Sequence, residues 1–163
     1  MMRIVTQMLN HRLLPAGVML ASLLGALLLQ HLLNWLPCPL CIIQRLSAIA
    51  LFVLLLGWGL TPKASRAKPV WLMGAGLATA AGLAAAGAHL WILWQPDTGS
   101  CAPGLARWVG QLVDSMPGSE WLLEGAGACE DARYALLGLP LPAWSAMAHV
   151  AALTCALVQR KRS

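Results

Sequence analysis

Two cysteines in the run Cys38-Pro39-Leu40-Cys41 form the part of this sequence best suited to chemistry. A CxxC pair can cycle between a dithiol and a disulfide, and the local electrostatic field sets how readily each form is reached. The run lies between two long apolar stretches, which places the pair at the edge of a bilayer. Lipid-soluble electron carriers can reach thiols at that depth. The pattern therefore predicts redox chemistry at a membrane surface.

Pro39 predicts that a helix begins at the CxxC, because proline is favoured in the first turn of helices. Cys41 then lies near the helix N-terminus, where free N–H groups and the helix dipole stabilise a thiolate. We expect Cys41 to be the more stable thiolate of the pair. Arg45 follows one turn later on the same face, inside the bilayer boundary. Its cation either snorkels to the headgroups or holds a thiolate or a carbonyl oxygen that becomes anionic on reduction.

The remaining cysteines raise the question of disulfide connectivity. Four of the five cysteines lie on one side of the membrane in the topology argued below: Cys38, Cys41, Cys101 and Cys129. Among the possible pairings, the short separation within the CxxC favours a bond there, which leaves Cys101 to pair with Cys129. Taken alone, that second bond is typical of a structural staple. The CxxC constrains little chain entropy, so a redox or metal-binding role is favoured for it.

A metal site at the CxxC is the less favoured interpretation. Zinc needs more ligands than two thiolates. Besides the other two cysteines, only His31 and His89 are candidates near Cys38. We therefore predict no metal at this site.

The composition shows what kind of scaffold must position these residues. The chain has 163 residues, of which 59% are hydrophobic and 10% charged, and its mean hydropathy is +0.69. Soluble domains of this size do not approach these values, so we predict a membrane protein. Four apolar stretches have the length that a helical span needs, about residues 13–33, 42–60, 70–94 and 142–158. The first is longer than the apolar core of a cleaved signal peptide and is expected to remain as a helix.

We accordingly expect an all-α membrane protein, a four-transmembrane-helix bundle that forms a single domain over residues 1–163. A long loop, about residues 95–141, connects the last two spans. Within it, apolar side chains recur with helical spacing at Leu105, Trp108, Val109, Leu112, Val113 and Met116. The spacing predicts a short amphipathic helix that lies in the membrane interface and ends at Pro117-Gly118.

Charge placement predicts the topology. Basic residues flank the spans at both termini and in the loop between spans two and three: Arg3, Arg12, Lys63, Arg66, Lys68, Arg160, Lys161 and Arg162. Every acidic residue lies in the long loop: Asp97, Asp114, Glu120, Glu124, Glu130 and Asp131. The positive-inside rule then puts both termini in the cytoplasm and the cysteine-bearing loops on the opposite side. The net charge of +5 flanks the spans and forms no patch, so nucleic-acid binding is not expected.

These features together resemble the bacterial disulfide bond formation protein B (DsbB) family. The resemblance lies in the spans, in the CxxC followed by Gln44-Arg45, and in the two loop cysteines, Cys101 and Cys129. The segment Cys129-Glu130-Asp131-Ala132-Arg133, continued by Leu137-Gly138-Leu139-Pro140 and Trp144, is similar to the family's passage from loop to fourth span. The family often has an acidic residue where this chain has Gln44.

The resemblance implies a protein-dithiol:quinone oxidoreductase of the bacterial inner membrane. Such an enzyme reoxidises a periplasmic DsbA-type thiol oxidase, passes the electrons to ubiquinone or menaquinone, and so supports disulfide formation in exported proteins. By position, Cys101 would form the mixed disulfide with the DsbA-type partner, and Cys129 would exchange with Cys38. Cys41 would then face the quinone ring.

Two further positions match the family's quinone site. Arg45 corresponds to its arginine, and His89, near the outer end of span three, is similar in placement to a histidine near the quinone. An ordinary interfacial histidine is the alternative for His89.

Two other functions are compatible with parts of the pattern. A relay like the vitamin K epoxide reductase family also combines a helical bundle, paired thiols and a quinone, but its CxxC typically belongs to the last span, whereas this one precedes span two. A non-enzymatic membrane protein with structural disulfides would have thiols inert to a reduced partner. Trapping a mixed disulfide separates these possibilities.

Overall fold

The computed structural model describes residues 2–62, 64–95, 103–115, 123, 129 and 133–162, although it leaves the side chains of residues 2–10, 103 and 162 undescribed. Its elements in chain order are α1 (Met2–Leu33), α2 (Pro39–Leu60), α3 (Lys68–Trp94), α4 (Pro103–Asp114), β1 (Ala135–Leu136), β2 (Leu139–Pro140) and α5 (Leu141–Arg162). The chain is thus almost entirely helical where it is described, as the sequence predicts.

The predicted four-helix membrane bundle is confirmed. Four helices are long and apolar enough to cross a membrane: His11–Leu33, Pro39–Leu60, Lys68–Trp94 and Leu141–Lys161. Each begins or ends beyond the apolar stretch read from the sequence, because helices continue into their polar flanks. The second begins at Pro39, which occupies the first turn and needs no hydrogen-bond acceptor there.

The central helix of the bundle is α2, which packs against α1 and α3 and also contacts α4 and α5. Its C-terminal half contributes Leu51, Leu55 and Trp58 to the main apolar core. The other helices contribute both large and small side chains to that core; Ala75 and Ala152 are fully buried there. Small residues let helix backbones approach closely in a bilayer, where apolar burial itself drives little association. The N-terminal half of α2 is left for a polar site.

A tight hairpin leads from the long loop into α5. Strands β1 and β2 pair antiparallel, and Leu137 and Gly138 turn between them with φ of 54° and 81°. Positive φ at both central positions gives the turn twist that matches paired strands. Trp144 in α5 donates its indole N–H to the Leu136 carbonyl oxygen at 3.0 Å. The hairpin is therefore fastened to the end of the bundle that carries the CxxC.

The predicted amphipathic helix is present as α4, with Pro103–Asp114 as its bounds. Val109 is buried in a cluster with Ile42 of α2 and Leu123, whereas Trp108 on the same helix is 55% exposed. Part of the apolar face thus packs on the bundle. Residues 116–118, where the sequence predicts the helix to end, lie outside the described residues. Its position in the membrane interface stays a prediction.

Candidate functional site

The two CxxC cysteines meet at the start of α2. Both are free thiols, and their Sγ atoms lie 3.2 Å apart. Cys38 is the N-cap residue, and its Sγ accepts the Cys41 backbone N–H at 3.4 Å. An N-cap side chain normally accepts such an N–H, since the first turn has no intrahelical acceptor for it. The expectation that the helix N-terminus makes Cys41 the more stable thiolate is therefore wrong, because the backbone N–H of Cys41 is donated to Cys38 Sγ.

His89 of α3 packs against both thiols. The imidazole is fully buried, with Nδ1 3.6 Å from Cys41 Sγ and Nε2 3.9 Å from Cys38 Sγ. The hydrogen bond with Cys41 lowers the pKa of Cys38 to about 5, and contact with His89 acts in the same direction against the effect of burial. A thiolate is the nucleophile in disulfide exchange, so Cys38 is prepared to react at neutral pH.

Arg45 is buried rather than extended to the headgroups. It is 8% exposed, and its Nη1 donates to Gln30 Oε1 of α1 at 2.6 Å. A buried cation needs such a partner, because leaving it without hydrogen bonds would be costly. Gln30 was not predicted from the sequence, although a glutamine inside an apolar span is a signal that could have identified it.

A cavity of about 470 Å³ lies beside this group, between α1, α2 and α5. Its walls are mostly apolar, and its polar lining includes Cys41 and the hydrogen-bonded pair of Arg45 and Gln30. Trp35 and Tyr134 also line it, stacked with ring centroids 4.9 Å apart and planes 9° from parallel. An apolar cavity with a few convergent polar groups is typical of a small-molecule site. His89 does not line this cavity and lies against the thiols instead.

Gln44 contributes a further polar group to the cavity. The residue is 5% exposed, and its Nε2 has no hydrogen-bond partner within the part of the chain that the structure describes. A buried amide donor without a partner costs about 1–3 kcal/mol. A ligand oxygen in the cavity would satisfy it.

Cys129 belongs to the cluster that holds the thiol pair. It is disulfide-bonded and fully buried, and it belongs to the same apolar cluster as Cys38, together with Leu40, Ala85 and Ile92. The predicted partner, Cys101, lies outside the described residues, so the Cys101–Cys129 pairing stays a prediction. The fold nevertheless brings a disulfide sulfur and the CxxC into one buried cluster.

Cys155 has no part in this group. It lies in α5 as a half-buried free thiol and accepts the Gln159 side-chain N–H at 3.4 Å. Its separation from the site agrees with a packing role.

A separate polar contact joins α2 and α5, and α3 packs against it. His149 Nε2 of α5 lies 3.0 Å from Ser47 Oγ of α2, and its Nδ1 lies 2.8 Å from the Ser145 carbonyl oxygen. A Cβ on Gly82 of α3 would overlap both side chains. Glycine therefore allows α3 to approach the pair. The sequence analysis gave no role to these residues.

Comparison with known proteins gives a consistent family. The family model described as Disulfide bond formation protein DsbB matches residues 10–159. Relatives named Disulfide bond formation protein B include one from Acinetobacter baumannii, 36% identical over 84% of this chain and 83% of the relative. Another from Burkholderia pseudomallei is 38% identical over 84% and 80%, respectively. One from Chromohalobacter salexigens is 33% identical over 78% and 76%. No solved structure matches the chain.

Proposed function

Because the chain belongs to the disulfide bond formation protein DsbB family, we propose that it is a dithiol:quinone oxidoreductase that generates disulfides for a DsbA-type partner. The observation that carries the proposal is one buried group of sulfur atoms: Cys38 contacts Cys41, and Cys129 packs in the same cluster. Thiols held in contact beside a disulfide are arranged for exchange.

The proposed sequence of exchanges begins at the loop disulfide. A thiolate of the reduced partner attacks Cys101, which forms a mixed disulfide and releases Cys129 as thiolate. A second partner thiolate then resolves the mixed disulfide and leaves Cys101 reduced. Cys129 attacks Cys38 of an oxidised CxxC and releases Cys41, and exchange with Cys101 restores the loop disulfide. The electron pair and two protons from the partner's dithiol thus come to rest on Cys38 and Cys41.

The cavity is the proposed site for the electron acceptor. A quinone has apolar faces and carbonyl oxygens that accept hydrogen bonds, and the cavity offers apolar walls with a few hydrogen-bond donors. Arg45 would bind one carbonyl oxygen, with Gln30 holding the guanidinium in place. The partnerless Nε2 of Gln44 is a further donor. When bound, ubiquinone or menaquinone would accept the electron pair and the two protons of the thiols.

His89 acts on the thiols in this proposal. Its position against both Sγ atoms allows it to stabilise the Cys38 thiolate and to hold a thiol proton during exchange. The family resemblance placed this histidine near the quinone. The contacts support a role on the sulfur side of the site.

We further propose a single domain in the bacterial inner membrane, with both termini cytoplasmic and the CxxC on the periplasmic side. The basic flanks of the spans support that orientation. A reporter active only in the periplasm should be inactive when fused after Ser163 and active when inserted after Gly118. The reverse pattern would contradict the orientation.

Purified protein with a reduced DsbA-type substrate and a soluble quinone tests the activity. Two substrate thiols should be lost for each quinone that is reduced, as followed by the decrease in quinone absorbance. A Cys129→Ala variant mixed with oxidised substrate should accumulate a covalent complex, because the Cys101 thiolate attacks the substrate disulfide and has no loop partner to resolve the product, whereas Cys155→Ala should turn over normally. Thiol oxidation without quinone consumption, or failure to trap the complex, would contradict the proposal.

A further inference from the structure

Three potential metal ligands converge at the start of α2. The Sγ atoms of Cys38 and Cys41 and a ring nitrogen of His89 all lie within 4.8 Å of one another. From this geometry we propose that the reduced cluster binds Zn²⁺ or a similar thiophilic divalent cation, and that the bound ion holds the CxxC in its dithiol state. The binding is independent of the proposed function, whereas inhibition of turnover rests on it.

The spacing fits tetrahedral coordination. Bonds of about 2.3 Å to sulfur and about 2.0–2.1 Å to nitrogen place two sulfurs about 3.8 Å apart and a sulfur and nitrogen about 3.6 Å apart. Here the sulfurs are 3.2 Å apart, and His89 Nδ1 lies 3.6 Å from Cys41 Sγ and 4.0 Å from Cys38 Sγ. The largest adjustment is thus about 0.6 Å, which small side-chain rotations can supply.

The charges of the ligands suit a buried ion. Both cysteines bind as thiolates, so a divalent cation meets two thiolates and a neutral imidazole, and the assembly carries no net charge. A neutral assembly avoids the cost of leaving a charge in an apolar region. Cys38 and His89 are fully buried, so two of the three protein ligands are held away from solvent.

The cavity gives the metal ion access to the site, and the oxidation state of the CxxC decides whether the ion can bind. Cys41 lines the cavity, so the fourth coordination position can face it and be taken by water. An oxidised CxxC has no thiolate to offer. The site therefore exists only in the reduced protein, and an ion bound there competes with oxidation of the pair.

The sequence prediction of no metal depended on the ligands visible along the chain. His89 is separated from Cys38 by 51 positions, and only the packing of α3 on α2 makes it a third ligand. The proposal concerns an inhibitory ion and adds no metal cofactor to the reaction.

Titration of the reduced full-length protein with Cd²⁺ tests the binding, since cadmium thiolates absorb in the ultraviolet. We expect a charge-transfer band that saturates at one ion per chain, with release of protons. The band should be absent from the oxidised protein and from Cys38→Ser, and unchanged in Cys155→Ser. A band of equal strength and affinity in the oxidised protein would overturn the proposal.

The histidine is tested separately. His89→Ala should weaken Cd²⁺ binding at least about tenfold, because even outer partners of metal ligands contribute that much. His89→Cys, which restores a ligand atom, should recover tight binding, and thermal melting of the variants checks their folding. Equal Cd²⁺ affinity in folded His89→Ala would remove His89 from the site.

Inhibition is measured with Zn²⁺ itself. Reduced protein preincubated with Zn²⁺ should fail to reduce a soluble quinone, and a chelator should restore the reaction. If Zn²⁺ binds and quinone reduction continues unchanged, the inhibitory half of the proposal is wrong. If the metal-free protein reduces no quinone while Cd²⁺ still binds, the proposed function fails and the metal site stands.

Discussion

His89 and His149 are 0% and 1% exposed, yet the two histidines lie in regions of different chemistry. His149 contacts a serine hydroxyl and a backbone carbonyl, groups that do not exchange electrons. His89 contacts two thiols, one of which also lines a cavity. Burial alone therefore does not identify a functional histidine in this bundle. The chemistry of its partners and access from a cavity separate the redox region from the structural one.

The largest expected effect tests whether turnover depends on the CxxC thiols and not on the other free thiol, Cys155. Cys41→Ser should reduce quinone-dependent turnover by more than about 10³-fold, as loss of a reacting group does. Cys155→Ser, which removes the thiol of α5, should leave turnover unchanged. The measurement is quinone absorbance with a reduced DsbA-type substrate. Substantial turnover in Cys41→Ser would show that the pair at the head of α2 is not the electron donor.

Arg45 offers the next test, on the cavity side of the redox region. Arg45→Ala should raise the apparent quinone KM by about 10–150-fold, because a charge-assisted hydrogen bond contributes about 1.5–3 kcal/mol. The exchange between the protein and its dithiol substrate should be unaffected in a single-turnover assay without quinone. Unchanged quinone kinetics would remove Arg45 from the acceptor site.

The pH dependence of stability tests the lowered pKa of Cys38, the thiol that His89 contacts. The pKa of Cys38 is lowered from its ordinary 9.0 to about 5, so the unfolded reduced chain binds more protons between those values. The reduced protein should therefore gain stability as pH rises from about 5 to about 9, and lose it as pH falls through about 5. Thiolate absorbance and melting temperature measure both effects.

His89→Gln should shift the thiolate transition of the reduced protein to higher pH, because one of the groups that lower the pKa of Cys38 is lost. His149→Gln should leave that transition in place. The oxidised protein, with no CxxC thiolate, serves as the control. If both variants shift the transition equally, the distinction between the two regions fails.

The smallest effect belongs to the structural region. Ser47→Ala removes a hydrogen-bonding group between α2 and α5 and should lower the free energy of unfolding by about 0.5–2 kcal/mol. Turnover at saturating quinone should remain within about twofold of the parent, which corresponds to less than about 0.5 kcal/mol in the barrier. Unfolding in mixed detergent and quinone assays check the two halves. A large loss of turnover without destabilisation would give Ser47 a role in the reaction.

Much of the scaffold could be predicted from local patterns. Apolar length gave the spans, Pro39 gave the start of α2, and the periodic apolar residues between 105 and 116 gave α4. Each of these signals acts over one helix or less, so no knowledge of the packing is required. The hairpin before α5 was missed, because strands of two residues carry no pattern of their own.

The chain itself determined which residues could do chemistry, since cysteines and an arginine are unusual at the head of an apolar span. Only the packing decided how they are paired. It set His89 against the sulfurs and brought Gln30 to Arg45. The physical reason is that hydrogen bonds act over a few ångströms, whereas these partners lie 15 and 48 positions apart and meet only when the helices dock.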